Sequence, residues 1–182
     1  VYVGYYVHYP NIESAVKIAE EIMPLICRQV PRAEVSLVGR GIWPALRGRL
    51  SRCPGVRVVG AVEDLRPFIN ESVIYLAPIF SGMGIRLKIL EALSAGKAVI
   101  TTPLGMQGID LIPGEEWASA RTVEEFAEVA VRLMRNPEEA REMGLRAAQK
   151  IRQKYSWPAR AQHLEAIFAA VLNSKASGEP VQ

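Results

Sequence analysis

The sequence predicts an α/β fold, a Rossmann-like parallel sheet with helices on both faces. Short β-branched runs alternate with helical patterns almost without interruption, the order expected of such a wound sheet. The segments between the runs are long enough for the right-handed crossovers that parallel neighbours require. The chain has 182 residues, 49% hydrophobic and 23% charged, which is the composition of an ordinary globular domain. At this length a core forms without disulfides or metal. One domain is expected over residues 1–172.

The elements follow in order. A strand over residues 1–3 precedes a helix that Asn11 is placed to cap. In that helix Ile12, Ala15, Val16, Ala19, Ile22, Met23 and Ile26 recur at helical spacing, while Glu13, Lys17, Glu20 and Glu21 face outward. Pro24 should kink or split it. Further strands are expected over residues 35–38, 56–59, 73–77 and 98–101, with short helices over 44–51, 65–70 and 85–95. After a short strand over 117–120, Thr122 with Glu125 form a capping box, and Asn136, Pro137 and Glu139 repeat the same start signal. A last helix runs from about residue 156 to 172. Residues 173–182, small, polar and proline-containing, are expected to fray as a flexible tail.

Charge and apolar runs exclude several functions. The net charge of +3 comes from Lys and Arg residues spread along the chain, so no nucleic-acid partner is expected. No apolar stretch approaches the length of a transmembrane helix, and the first residues lack the basic-then-apolar order expected of a signal peptide. Cys27 and Cys53 stand far apart and read as free thiols in a reducing cytosol. Val1 opens directly into a strand, so a segment upstream is expected to be missing.

In a doubly wound sheet the ligand lies outside the carboxyl ends of the strands. The loops there carry Gly4, then Gly39-Arg40-Gly41, then residues 60–64 with Val62, then residues 78–84. The last is the most informative, because Ser81-Gly82-Met83-Gly84 leads into the helix bearing Ile85, Arg86, Lys88 and Glu91. Glycines let backbone amides approach an anion, and the amides and dipole of a helix N-terminus favour phosphate, so a diphosphate would fit there. Helical spacing puts Gly84, Lys88 and Glu91 on one face, with Ile85, Ile89, Ala92 and Leu93 on the opposite, buried side. Glu91 can then accept two vicinal hydroxyls of a ribose. Lys88 and Glu91 read equally well as an ordinary surface ion pair. His8 reads as incidental, Trp43 and Trp117 as packing or interdomain residues, and Tyr155 and Trp157 as interface residues. No Asp-x-Asp pair or His/Asp/Glu cluster calls for a metal.

The stretch from Pro78 to Thr102 resembles the signature of family 4 glycosyltransferases, also called glycosyl transferases group 1. Tyr9-Pro10-Asn11, Val38-Gly39-Arg40-Gly41, residues 56–62 and 105–109, and Tyr155-Ser156-Trp157 agree with it in order. The resemblance covers nearly the whole chain. It implies the donor-binding, C-terminal half of a GT-B fold, in a cytoplasmic transferase of the kind used in polysaccharide biosynthesis. Such an enzyme moves a hexosyl group from a nucleoside diphosphate to a glycan or lipid acceptor, with retained configuration and no metal or other cofactor. The acceptor would bind a missing N-terminal domain, which could also hold the protein at the inner membrane face, and the isolated chain would be inactive.

Carried onto this sequence, the family's Glu-x7-Glu motif ends on Glu91, for the donor ribose, but its first Glu falls at Met83. Amides of Gly82, Met83, Gly84 and Ile85, beside Ser81, would meet the distal phosphate and sugar, and residues 60–64 would border the nucleobase. The family's Arg and Lys after the first strand are absent, leaving Arg40, Arg86 or Lys88 to neutralise the diphosphate. Two alternatives stand beside this reading: a catalytically degenerate nucleotide-sugar-binding module, and a GT-B sugar-nucleotide epimerase. A receiver-like signalling domain would need an acidic cluster at the first strand, which the sequence lacks.

Overall fold

The computed structural model describes residues 1–177. In chain order the elements are β1 (Tyr2–Val3), α1 (Tyr9–Val16), a π-helical segment (Lys17–Ile22), α2 (Met23–Gln29), β2 (Val35–Val38), α3 (Pro44–Leu50) and β3 (Val56–Gly60). Then come α4 (Arg66–Glu71), β4 (Ile74–Ala77), α5 (Leu87–Ser94), β5 (Ala98–Thr101), β6 (Ala118–Ser119), α6 (Val123–Arg135), α7 (Pro137–Tyr155) and α8 (Trp157–Ser177).

Every strand pair is parallel: β1 with β2, β2 with β3, β4 with β5 and β5 with β6. Val1 joins the two halves. Its amine donates to the Ile74 carbonyl at 3.0 Å, and the Leu76 N–H donates to the Val1 carbonyl at 3.0 Å. One residue bonding to both neighbours of its opposite number is the parallel pattern. The strand order is therefore β3-β2-β1-β4-β5-β6, and the expected α/β parallel sheet is found. Its direction of winding reverses between β1 and β4, the place where such folds open a crevice.

Local sequence explains the layers. β4 and β5 are buried along their whole length, which suits the unbroken runs Ile-Tyr-Leu-Ala and Ala-Val-Ile-Thr. α6 buries Phe126, Ala127, Ala130, Val131 and Leu133 along one stripe, and the Thr122 hydroxyl caps it by accepting from the Glu125 N–H at 3.2 Å. Glu125 reaches back to the Arg121 N–H at 2.6 Å. Asn136 caps α7 by accepting from the Glu139 N–H at 3.5 Å.

Several expectations are corrected. The first helix begins at Tyr9 with His8 at its cap, so Asn11 lies inside it and turns its side chain elsewhere. Pro24 stands in the first turn of α2, so the helical run is divided just before it. It has no N–H and its ring crowds the preceding turn, and the chain responds with the wider π turns just before it, where the Met23 N–H reaches the Ile18 carbonyl. α8 continues to Ser177, past the expected end. The expected fraying of the tail concerns, from residue 178 on, positions outside the described residues. Trp117 is a packing residue, 5% exposed, with its indole N–H on the Leu111 carbonyl at 3.2 Å. Tyr155 pins the loop before β6, its hydroxyl accepting from the Asp110 N–H at 2.7 Å. Cys27 and Cys53 are both free thiols. Among the described residues no helix is long and apolar enough to cross a membrane.

Candidate functional site

The crevice sits where the sheet order predicts it. One hollow, of about 520 Å³, is lined by Gly4, Gly39, Arg40, Val62, Glu63 and Leu65 among others. A second, of about 550 Å³, is lined by Glu63, Leu65, Arg66, Glu91 and Ser94 among others. Glu63 and Leu65 belong to both, so the two adjoin. The ends of β1, β2 and β3 thus form one side and the second half of α5 the other. Gly39 is required at its place: its φ is +132°, and a methyl group there would stand 1.8 Å from the Gly4 carbonyl oxygen. That close approach lets Gly4 and Gly39 line the hollow as bare backbone.

The glycine loop is built differently from expectation. α5 begins at Leu87, not Ile85, and Arg86 precedes it in an extended conformation. Gly82 and Gly84 have φ of +92° and +85°, so the loop curls. Inside the curl lies the Arg86 guanidinium, which donates to the Gly82 carbonyl at 2.9 Å and to the Gly84 carbonyl. Partial burial holds its pKa below the usual arginine range. The loop backbone therefore spends two carbonyls on a cation, and that interaction competes with the helical turn sequence spacing predicts. Met83 is 94% exposed and Ile85 52% exposed, so Ile85 is not on the buried side of the helix. Ser81 donates to the Glu13 carboxylate at 2.7 Å, which ties the loop to α1. Ser14 strengthens that tie, its buried hydroxyl lying 2.8 Å from the carbonyls of both Pro10 and Pro78.

Lys88 and Glu91 are not an ion pair. Glu91 is exposed and faces the second hollow. Lys88 turns inward, where its ammonium donates to the Tyr2 hydroxyl at 2.8 Å and to Asn11 Oδ1, and lies 4.6 Å from the Tyr2 ring centre. Burial, helped by the Arg86 charge, lowers its pKa from 10.5 to about 8. Tyr2 closes the triangle by donating to Asn11 Oδ1 at 3.3 Å. Tyr6, edge-on to Tyr2, buries a hydroxyl with no hydrogen-bond partner.

Of the sequence-predicted site residues, Gly4, Gly39, Arg40, Val62 and Glu91 line the adjoining hollows. Gly82, Met83, Gly84 and Ile85 are exposed, Ser81 and Arg86 are half-buried beside them, and Lys88, also half-buried, lines neither hollow. His8 occupies the N-cap position of α1 without a side-chain capping bond and packs edge-on against Tyr5, ring centres 5.2 Å apart. Sequence reasoning missed Tyr2 as a polar participant and read Asn11 only as a cap. A signal for Asn11 existed: it stands four and seven residues before the buried Ala15 and Ile18, so it is a polar residue on the helix's apolar stripe. Among the described residues no group of three or more His, Cys, Asp or Glu is placed to hold a metal ion.

Comparisons with known proteins bear on this geometry. The family described as "Glycosyl transferases group 1" matches residues 1–136. An uncharacterized 44.6 kDa protein in the cps region of Klebsiella pneumoniae is 22% identical over 152 residues, which is 80% of this chain and 39% of that protein. The crystal structure of Anabaena Alr3699/HepE in complex with UDP superposes with a TM-score of 0.72 at 14% identity, over 93% of this chain and 48% of that one. The C-terminal domain of a glycosyl transferase group 1 family protein (LpcC) from Francisella tularensis superposes with a TM-score of 0.63 at 13% identity, over 86% of this chain and 84% of that domain. The chain spans less than half the length of the Klebsiella and Anabaena proteins.

Proposed function

This chain belongs to the group 1 glycosyl transferases, and from that premise we propose that it is the nucleotide-sugar-binding half of a retaining hexosyltransferase whose acceptor half lies elsewhere. One observation carries the reading: Glu91 faces a hollow continuous with the one that Gly4, Gly39 and Arg40 line, at the switch point of the sheet. A nucleoside diphosphate has the matching chemistry. Its ribose offers vicinal hydroxyls to the Glu91 carboxylate, and its phosphates meet bare backbone and the cation Arg40, with the charge of Lys88 behind the Gly4 loop. Transfer breaks the bond between the sugar and the diphosphate, so charge builds on the departing phosphate oxygen. Cations and amides fixed beforehand stabilise that charge without reorganising. The UDP in the Anabaena structure and the near-complete overlap with the Francisella C-terminal domain support the reading. The acceptor would be a glycan or lipid held by the other half, and no metal is invoked.

Glu91→Gln tests it. The amide keeps the size and one acceptor oxygen but loses the charge, and a hydrogen bond to a charged group is worth roughly 1.5–3 kcal/mol. Affinity for the best of UDP, GDP and ADP should fall about tenfold to a hundredfold in calorimetry, with the melting temperature nearly unchanged because Glu91 is exposed. Equal affinities would remove Glu91 from the site.

A second reading, a degenerate binding module, is favoured by Met83, which stands nearly fully exposed where the family carries its first glutamate. It binds the same ligands. Sugar turnover by the full-length protein separates the two readings.

A further inference from the structure

Lys88 is an ammonium without a carboxylate. Among the described residues its hydrogen-bond partners, Tyr2 and Asn11, are both neutral. The charged neighbour that acts on it is Arg86 on its own segment, and Tyr2 on β1 lies against it; Glu13 on α1 is engaged by Ser81. Asn11 is held in one orientation by what flanks it. Its Nδ2 donates to the Tyr5 carbonyl at 2.8 Å, and its Oδ1 receives Lys88 and Tyr2. Flipping the amide would set NH2 against an ammonium and oxygen against a carbonyl, so only this orientation satisfies both sides. Tyr5 lines the first hollow, and Asn11 Cβ lies directly behind Gly4. One amide thus links the loop after β1 to the start of α5 across the switch point.

We infer that Asn11 is a positioning residue of the donor site, holding Lys88 in a neutral cradle behind the Gly4 loop so that its positive charge still acts on an anionic ligand bound at that loop. The inference rests on the nucleoside-diphosphate reading and adds to it a requirement about charge. A carboxylate at position 11 would grip Lys88 more firmly, yet it would cancel the charge the ligand needs and set an oxygen against the Tyr5 carbonyl. Neutrality, not grip, is what the site selects.

The test titrates wild type, Asn11→Asp and Asn11→Ser by calorimetry with the tightest of UDP, GDP and ADP and with the corresponding nucleoside, at about pH 7 and about pH 9. The diphosphate should bind Asn11→Asp on the order of tenfold more weakly than wild type, the size of one charge-assisted contact. The nucleoside, which lacks the anion, should bind both alike. Asn11→Ser, smaller but neutral, should keep more diphosphate affinity than Asn11→Asp. Wild-type affinity should weaken from pH 7 to 9 as Lys88 loses its proton, whereas that of Asn11→Asp should stay nearly flat, because the added carboxylate keeps the ammonium charged. Should Asn11→Asp fail to fold, Tyr2→Phe replaces it: loss of the hydroxyl acceptor should weaken diphosphate binding severalfold and spare the nucleoside. Unchanged diphosphate affinity in the folded variant tested, or equal weakening of diphosphate and nucleoside, overturns the inference while the donor reading stands. A wild-type chain that binds none of the three diphosphates overturns both.

Discussion

An ammonium turned into a protein interior is stabilised there less well than in water, and Lys88 carries that cost for its charge. Its pKa is lowered to about 8 in the folded chain, against 10.5 for the free side chain. The sign follows from which state holds the proton. Below about pH 8 both states are protonated and the penalty on the fold is complete; between pH 8 and 10.5 the folded chain has released a proton that the unfolded chain keeps, and the penalty fades. Lys88→Met removes the charge and keeps the length of the side chain, and Tyr2 still satisfies Asn11 Oδ1. The variant should be more stable than wild type by about 1 kcal/mol near neutral pH, and the gap should close as pH rises toward about 10. Melting curves across that range check it, and a gap that widens with pH would refute it. Nucleotide affinity should fall in the same variant. Lys88 was legible as part of a stripe with Glu91, since helical spacing fixes their angular relation. Its inward direction was not, because the partners that set it lie 77 and 86 residues away in the chain.

Helix α7 supports the site from behind through a residue with no side chain. A methyl group on Gly144 would stand 2.0 Å from the Gly96 carbonyl oxygen and 2.9 Å from the Lys97 carbonyl carbon, so α7 packs backbone to backbone on the turn joining α5 to β5. Gly48 in α3 has nothing within 4 Å of such a methyl group. The two helical glycines should therefore respond oppositely to alanine. Gly48→Ala gains the helix propensity that glycine forgoes, about 0.5–1 kcal/mol, whereas Gly144→Ala forces the turn away at a cost of about 1–3 kcal/mol. Because that turn ends the helix bearing Glu91, Gly144→Ala should weaken nucleotide binding too. Thermal melts of both variants decide it; shifts of the same sign would contradict the packing. The bounds of β5 were legible to the residue, since Gly96-Lys97 before it and Thr102-Pro103 after it punctuate the run. Those of α5 were not. Ile85 and Arg86 have no quarrel with a helix on their own, and only the guanidinium's bonds to two loop carbonyls draw them out of it.

At the scale of the molecule, the acceptor half proposed above would be what closes the cleft. Exposed apolar side chains, Tyr5, Tyr9, Met83 and Ile85, belong to the loops and first helix turn that follow β1 and β4. Bound sugar would stay open to water, and a transferase depends on excluding it. The chain alone should therefore bind a nucleoside diphosphate yet transfer no sugar at a rate approaching that of an intact enzyme. A radiolabelled-sugar transfer assay on the 182-residue chain tests this, and such transfer at an intact enzyme's rate would show the acceptor half to be dispensable. The sheet itself was legible in advance because each strand is a short apolar run between turn residues. The seam between its halves was not, because it depends on which strands meet across more than 70 residues of sequence.

That seam bears on how the chain is made. β1 sits in the middle of the finished sheet, but on a ribosome it emerges long before Ile74 and Leu76, to which Val1 is bonded. Until β4 arrives, one edge of the growing sheet has no neighbour, and an unpaired edge can anneal to a strand of another chain. A strand that is central in the folded protein is thus left at risk during synthesis.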